Sequence, residues 1–251
     1  MPEISIKAEQ LFELWRIPVT NSVLLATITM LVLVCVGLVV SKRLAVVPGK
    51  LQSFFEVTIE QFLGLMDSIF GDRKKSQKYF PIIVTVFLFI LFSNWFGLLP
   101  IVGPIGLRHV TESHGEVQEV LIPLLRAPAA DLNFTLALAI VAVFAVNLFS
   151  ATALGIKKFV GRFIHPRNII MTSVGMLEIV SEFVKIVSFS FRLFGNVFAG
   201  EVLLLIVGFL LPLIVPLPFL FLEVFVGFIQ AFIFSMLTMV FIAMAVSEPA
   251  H

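Results

Sequence analysis

Apolar residues along this chain gather in five long blocks, and the polar stretches between them hold most of the charge. The blocks predict membrane-spanning helices at about 22–41, 80–99, 131–154, 168–208 and 218–246, because about 20 apolar residues in a helix cross roughly 30 Å of hydrocarbon. Residues 50–70 follow a different pattern. Leu51, Phe54, Phe55, Phe62, Leu65, Met66 and Ile69 recur at helical spacing, with Gln52, Glu56, Glu60, Gln61 and Asp67 between them. That spacing predicts an amphipathic helix too polar to cross, either lying on the membrane or docked on a partner. Residues 1–19 read as a polar-to-amphipathic arm and residues 100–130 as a loop. Pro18, Thr20 and Asn21 punctuate the start of the first span, and Asp131 suits the N-cap of the third. Pro212, Pro216 and Pro218 mark the turn before the last. The fourth block is longer than a perpendicular crossing needs, so it tilts strongly or lies partly in the interface. The expected fold is an all-α polytopic membrane protein, a single membrane domain over residues 1–251.

Composition agrees with that pattern. Apolar residues make up 59% of the chain and charged residues 13%, against about 45–50% and 25% in soluble domains. The single cysteine, Cys35, falls within a span, so no disulfide framework exists. The net charge of +1 carries no sign of nucleic-acid binding. Charge matters here by position. The loop between the first two spans holds Lys42, Arg43, Lys50, Arg73, Lys74, Lys75 and Lys78, and the one after the third holds Lys157, Lys158, Arg162 and Arg167. The loop between the second and third spans holds only Arg108 and Arg126. Basic loops stay on the cytoplasmic side, which predicts the N terminus outside and the C terminus inside. Trp95, near the end of the second span, suits an interfacial anchor.

The spans differ in their chemistry. The first three have no Asp, Glu, Lys or Arg in their interiors, whereas the fourth carries Glu178, Glu182, Lys185, Arg192 and Glu201, and the fifth carries Glu223. An arginine at mid-membrane costs about 2.5–3.5 kcal/mol on insertion scales. It therefore marks a bundle interior, a partner or a wet cavity, and the last two spans read as a conduit on a scaffold of three. At about 100° per residue, Glu178, Lys185, Ser188, Arg192 and Asn196 share one face, and Glu201 falls almost opposite Arg192. Glu223 and Gln230 share a face of the fifth span. Since the fifth span returns antiparallel, Glu201 and Glu223 are expected near each other on the outer side, with Arg192 and Gln230 deeper. The two carboxyls are candidates for passing protons. A guanidinium stays protonated, so Arg192 stops a proton wire but lets a mobile carboxylate be carried past it. This chain has no such mobile group, so a second protein is implied. Competing readings are a structural Arg192–Glu201 ion pair, snorkelling of Glu223 to the interface, Lys185 reaching the inner surface, and interhelical hydrogen bonds from Asn133 and Asn147. His109, Glu112, His114, Glu116 and Glu119 match no standard metal-ligand spacing; they read as a solvated loop, and no metal or cofactor is expected.

Arg192-Leu193-Phe194-Gly195-Asn196 followed by Ala199-Gly200-Glu201 resembles the signature of subunit a of the F-type rotary ATP synthases. The resemblance extends to Phe92-Ser93-Asn94 through Gly97-Leu98-Leu99-Pro100, to Pro128-Ala129-Ala130-Asp131-Leu132-Asn133, and to Ile229-Gln230-Ala231-Phe232-Ile233-Phe234. It implies a non-catalytic proton-channel stator facing a rotating c-ring, held by peripheral-stalk b-type subunits, in a bacterial inner membrane, with a mitochondrial or thylakoid membrane as the alternatives. It implies that Arg192 separates two half-channels and partners the ring carboxylate. By the same resemblance Asn196, Glu201, Glu223 and Gln230 line the outer pathway, Glu178 and Ser188 lie toward the inner exit, and the last two spans form a long tilted hairpin around the ring. Two departures stand out: Ile186 occupies a position where many relatives carry proline, and Glu201 and Glu223 are both acidic where relatives can carry histidine at one. A sodium-coupled stator, an autonomous channel or transporter, and a structural anchor are the alternatives. ATP chemistry belongs elsewhere, since the chain has no Gly-Lys-Ser/Thr phosphate loop.

Overall fold

The computed structural model describes residues 8–14, 17–42, 49–102, 105–113, 116–163, 169–211 and 214–247. Along them run β1 (Gln10–Leu14), β2 (Ile17–Thr20), α1 (Asn21–Lys42), α2 (Lys50–Phe70), α3 (Arg73–Gly97), β3 (Gly106–Ser113) and β4 (Glu116–Pro123). A 3-10 turn (Pro128–Ala130), α4 (Leu132–Leu154), α5 (Ile156–Phe163), α6 (Ile169–Leu210) and α7 (Pro216–Val246) follow. Five of these, α1, α3, α4, α6 and α7, are long and apolar enough to cross a membrane. The fold is that of an all-α polytopic membrane protein with two small antiparallel hairpins added, β1–β2 and β3–β4. Arg43, His114, Arg167 and Pro212, named above, lie outside the described residues.

The elements depart from the sequence expectation in three places. The stretch expected as a loop over 100–130 contains a hairpin, paired from Gly106↔Pro123 to Ser113↔Glu116. The helix of the second span begins at Arg73, ahead of the apolar block expected from about 80, so the basic run before that block is helical. Asp72 caps it: the Lys74 N–H donates to Asp72 Oδ1 at 3.0 Å, satisfying a donor that the first helical turn leaves open. Pro81 sits inside this helix without ending it. After α4 the backbone turns at Gly155, whose φ of 85° favours glycine, and α5 follows.

The chain divides into two compact units. The first takes the chain up to Val34, Leu88–Thr135 and Phe191–Ala231; the second takes Cys35–Phe87, Leu136–Ser190 and the chain from Phe232 on. In the second, Met66 of α2, Tyr79 and Ile83 of α3, Val146 of α4, and Met239, Ile242 and Ala245 of α7 form a buried cluster. The Tyr79 ring stacks on Phe70 and meets Phe149 edge-on at 5.0 Å, and Ser150 Oγ donates to the Ala245 carbonyl at 2.8 Å. Arg73 pairs with Glu60 and Asp67 at 2.7 Å each, tying α2 to the start of α3. Exposed pairs of this kind contribute about 0.2–1 kcal/mol each. Among apolar helices in lipid, association rests on close packing and interhelical hydrogen bonds, which the buried cluster and the Ser150–Ala245 bond supply.

In the first unit, the segment between β4 and α4 is drawn inward. Ala127, Pro128, Ala129, Ala130 and Asp131 are all buried. Asp131 accepts from the Asn133 N–H at 3.0 Å, capping α4, and from Ser22 Oγ of α1 at 2.7 Å. Asn21 Nδ2 donates to the Pro123 carbonyl at 3.2 Å. The start of α1 and the start of α4 are thus pinned to the same stretch of chain.

Candidate functional site

The polar residues of α6 and α7 sort by exposure within the first unit. Phe191, Arg192, Gly195, Asn196 and Ala199 are exposed along one side of α6, while Leu193 and Gly200 are buried on the other. Their spacing of one, three and four residues is that of a single helical face. Arg192 and Asn196, one turn apart, thus sit together on an open face of an apolar helix. Such a charge is costly in hydrocarbon unless something polar meets that face.

Glu223 and Gln230 of α7 are buried. They lie two turns apart, as the sequence spacing requires. The Glu223 carboxyl rests against the backbone of α6 at Gly200: a Cβ built there would collide with its carboxyl carbon and both oxygens. The glycine is what admits the carboxyl. α7 is held at this level by α3, where Asn94 Nδ2 donates to the Gly227 carbonyl at 3.2 Å and the Trp95 indole N–H to the Val224 carbonyl at 3.1 Å. Trp95 therefore has a polar partner inside the protein, a contact that the interfacial-anchor reading did not include.

Glu201 follows Gly200 directly along α6. Glu201 also meets a residue that the motif reading passed over. Arg126 Nε lies 3.9 Å from Glu201 Oε1, and Arg126 Nη2 donates to the Ala130 carbonyl at 3.4 Å. Glu201 Oε2 is buried with no hydrogen-bond partner among the described residues. By charge pattern Arg126 is simply one of two basic residues in the connection between the second and third spans. The one signal for it in the sequence is a cation set in the apolar run Leu124-Leu125-Arg126-Ala127-Pro128.

The second unit holds the remaining candidates. Ser188 is exposed and Glu178 half-buried on α6. Nearby, Lys185 Nζ pairs with Glu182 Oε1 at 2.6 Å and lies 4.8 Å from the Phe241 ring centroid. Glu182 Oε2 accepts from Asn147 Nδ2 of α4 at 3.1 Å. Lys185 is thus engaged locally, and Asn147 makes the interhelical bond expected of it.

Comparison with known proteins bears on this arrangement. A family model described as ATP synthase A chain matches residues 23–243. The chain belongs to this family. Relatives include ATP synthase subunit a of Moorella thermoacetica, 30% identical and covering 95% of this chain and 96% of the relative. The Mycobacterium ulcerans protein of the same name is 34% identical over 92% and 90%, and that of Campylobacter jejuni serotype O:6 is 32% identical over 88% and 88%. Membership covers nearly the whole chain, α1 through α7, so the exposed Arg192 face and the buried Glu223 belong to one ATP synthase A chain architecture rather than to a grafted segment.

In the first unit the geometry offers two kinds of charged position. One is the open face with Arg192 and Asn196. The other is an acidic stretch, in which Glu223 is buried and seated on Gly200 and the half-exposed Glu201 is met by Arg126. The first presents a fixed cation outward; the second holds one carboxyl against α6 and pairs the other with a buried cation. No group of three or more His, Cys, Asp or Glu side chains comes together among the described residues.

Proposed function

We propose that this chain is the proton-translocating stator subunit of a rotary F-type ATP synthase, working as one membrane domain against a rotating c-ring. The observation that carries the reading is the exposed Arg192 on an apolar membrane helix, together with the buried Glu223 behind it. A guanidinium on an open face suits a partner carboxylate that arrives and leaves, and the ring supplies such carboxylates.

In this mechanism protons enter from the outer side through Glu201 and Glu223, with Asn196 and Gln230 carrying the path toward the ring. A ring carboxylate takes the proton, becomes neutral and rotates into lipid. After nearly a full turn it reaches the inner side near Glu178 and Ser188, where the proton is released and Arg192 meets the bare carboxylate. Arg192 cannot pass a proton on, so flow through the two half-channels requires rotation. Each proton crossing gains about 2.3 kcal/mol per 100 mV of membrane potential, delivered as rotation, while the ATP chemistry takes place in other subunits. Peripheral-stalk b-type subunits hold the chain against the torque. The basic residues at the end of α1, at the start of α3 and after α4 support an orientation with the N terminus outside and the C terminus on the cytoplasmic side of a bacterial inner membrane.

Replacing Arg192 with Ala tests the proposal through ATP-driven proton pumping in inverted vesicles that carry the whole synthase. Loss of pumping by an assembled complex supports it. Normal pumping makes the charge structural and overturns it.

A further inference from the structure

We infer that Arg126 is a second functional arginine of this subunit, a positioning residue that holds the Glu201 carboxylate in the outer proton pathway. The inference rests on the proposed role of Glu201. Arg126 lies 66 positions from Arg192, in the connection between β4 and α4 and outside the α6 motif.

The first observation is burial. The Arg126 side chain is only 9% exposed, and a buried cation is retained only where an opposite charge or carbonyl meets it. Glu201 Oε1 and the Ala130 carbonyl both do so. The second is the rigidity of the segment that presents it. Ala127 is packed against α3 so closely that a Cβ on Gly97 would collide with it. Pro128, Ala129 and Ala130 form a buried 3-10 turn, and Asp131 is fixed by Ser22 and by the cap of α4. The backbone on the C-terminal side of Arg126 therefore has little freedom, and the guanidinium is delivered to one place.

The third observation is the form of the contact. At 3.9 Å the Arg126–Glu201 approach is an ion pair without a hydrogen bond. Glu201 Oε2 is buried and has no hydrogen-bond partner among the described residues. The carboxylate is thus held by charge at one oxygen while the other is not committed to a protein donor. A relay group needs that combination: a fixed place, and an oxygen that can take up a proton and give it away. A bidentate, hydrogen-bonded pair would fix the group but occupy both oxygens. The structural alternative is that Arg126 merely staples its connection to α6. That role requires the charge pair but no coupling to proton flow.

The experiment is a double-mutant cycle on ATP-driven proton pumping, with the whole synthase in inverted vesicles and assembly measured in parallel. The variants are Arg126→Gln, Arg126→Lys, Glu201→Gln and the double Arg126→Gln/Glu201→Gln. Arg126→Gln is expected to lower pumping per assembled complex about tenfold, and Arg126→Lys to restore at least a third of the wild-type rate. The double variant should be no slower than Glu201→Gln alone, because residues acting as one unit are not additive. Wild-type pumping by Arg126→Gln, or losses that multiply in the double variant, overturns the inference. If Arg126→Gln does not assemble, the cycle is run with Arg126→Lys, and multiplying losses there overturn it likewise. Wild-type pumping by Glu201→Gln overturns both this inference and the place of Glu201 in the pathway. A loss in Glu201→Gln beside a normal Arg126→Gln overturns this inference alone.

Discussion

Adding one methyl group at Gly200 tests whether the seat of Glu223 matters to proton flow. The Glu223 carboxyl occupies the space that a Cβ at position 200 would need, with its carboxyl carbon and both oxygens in the way. The helix backbone at Gly200 cannot retreat without moving α6, so the side chain of Glu223 must rotate or α7 must shift. Overpacking of this kind, with the carboxyl forced off its rotamer included, costs about 1–3 kcal/mol. Against this, Gly→Ala in a helix interior contributes about 1 kcal/mol in propensity. The net effect on stability is therefore near zero to about 2 kcal/mol, small enough for the complex to assemble. The effect on function is larger, because misplacing a reacting group by about 1 Å can cost roughly a hundredfold. ATP-driven pumping by Gly200→Ala should fall at least tenfold at normal assembly. Gly208→Ala is the control: it lies on the same helix with nothing within 4 Å of its added Cβ, and should pump normally. Shortening the acid in Gly200→Ala/Glu223→Asp should recover part of the loss. Wild-type pumping by Gly200→Ala would refute the idea that the position of the Glu223 carboxyl is set by this glycine and needed for transport.

Two further outcomes follow from contacts away from the pathway. Asp131→Ala removes the cap of α4 and the hydrogen bond from Ser22 of α1, leaving Ser22 only Thr20 Oγ1 at 2.9 Å, a loss of roughly 1–2 kcal/mol. Thermal release of the subunit from the solubilised complex should occur at lower temperature, and an unchanged release temperature would count against the pinning of α1 to α4. The Ser76 hydroxyl and the Arg73 guanidinium beside Asp67 hold its carboxyl below the usual range. A lowered folded value contributes stability above the unfolded pKa of about 4 and loses it as the pH falls through the folded value. Wild type should therefore be more heat-stable than Asp67→Asn at neutral pH, with the difference vanishing only below about pH 4. A difference that disappears by pH 6 would contradict this.

Much of the architecture is legible along the chain, for local reasons. α2 matches its expected range because Gly49 and Gly71 bound it, and Gly71 adopts the left-handed φ of 67° that ends a helix. The helical part of Arg73–Lys78 was hidden because charge density and Pro81 both suggest a boundary near 80. The capping aspartate, Asp72, was the signal that mattered. The β3–β4 hairpin was missed because strand pairing depends on a partner segment, whereas the stretch itself reads as polar. In the candidate site, the opposed faces of Arg192 and Glu201 and the shared face of Glu223 and Gln230 follow from helix geometry alone. The seating of Glu223 on Gly200 and the approach of Arg126 to Glu201 do not. Both depend on how a hairpin and a distant connection fold back, which no spacing along a single helix encodes.

The central claim is that Arg192 forces proton flow through rotation, and the most direct measurement is passive proton flux with rotation blocked. Vesicles are stripped of the catalytic head and the ring is immobilised by a cross-link to the stator. The wild-type subunit should then conduct no protons, while Arg192→Ala should leak, because a fixed cation no longer separates the two half-channels. A blocked Arg192→Ala sector that stays as tight as wild type would contradict the account.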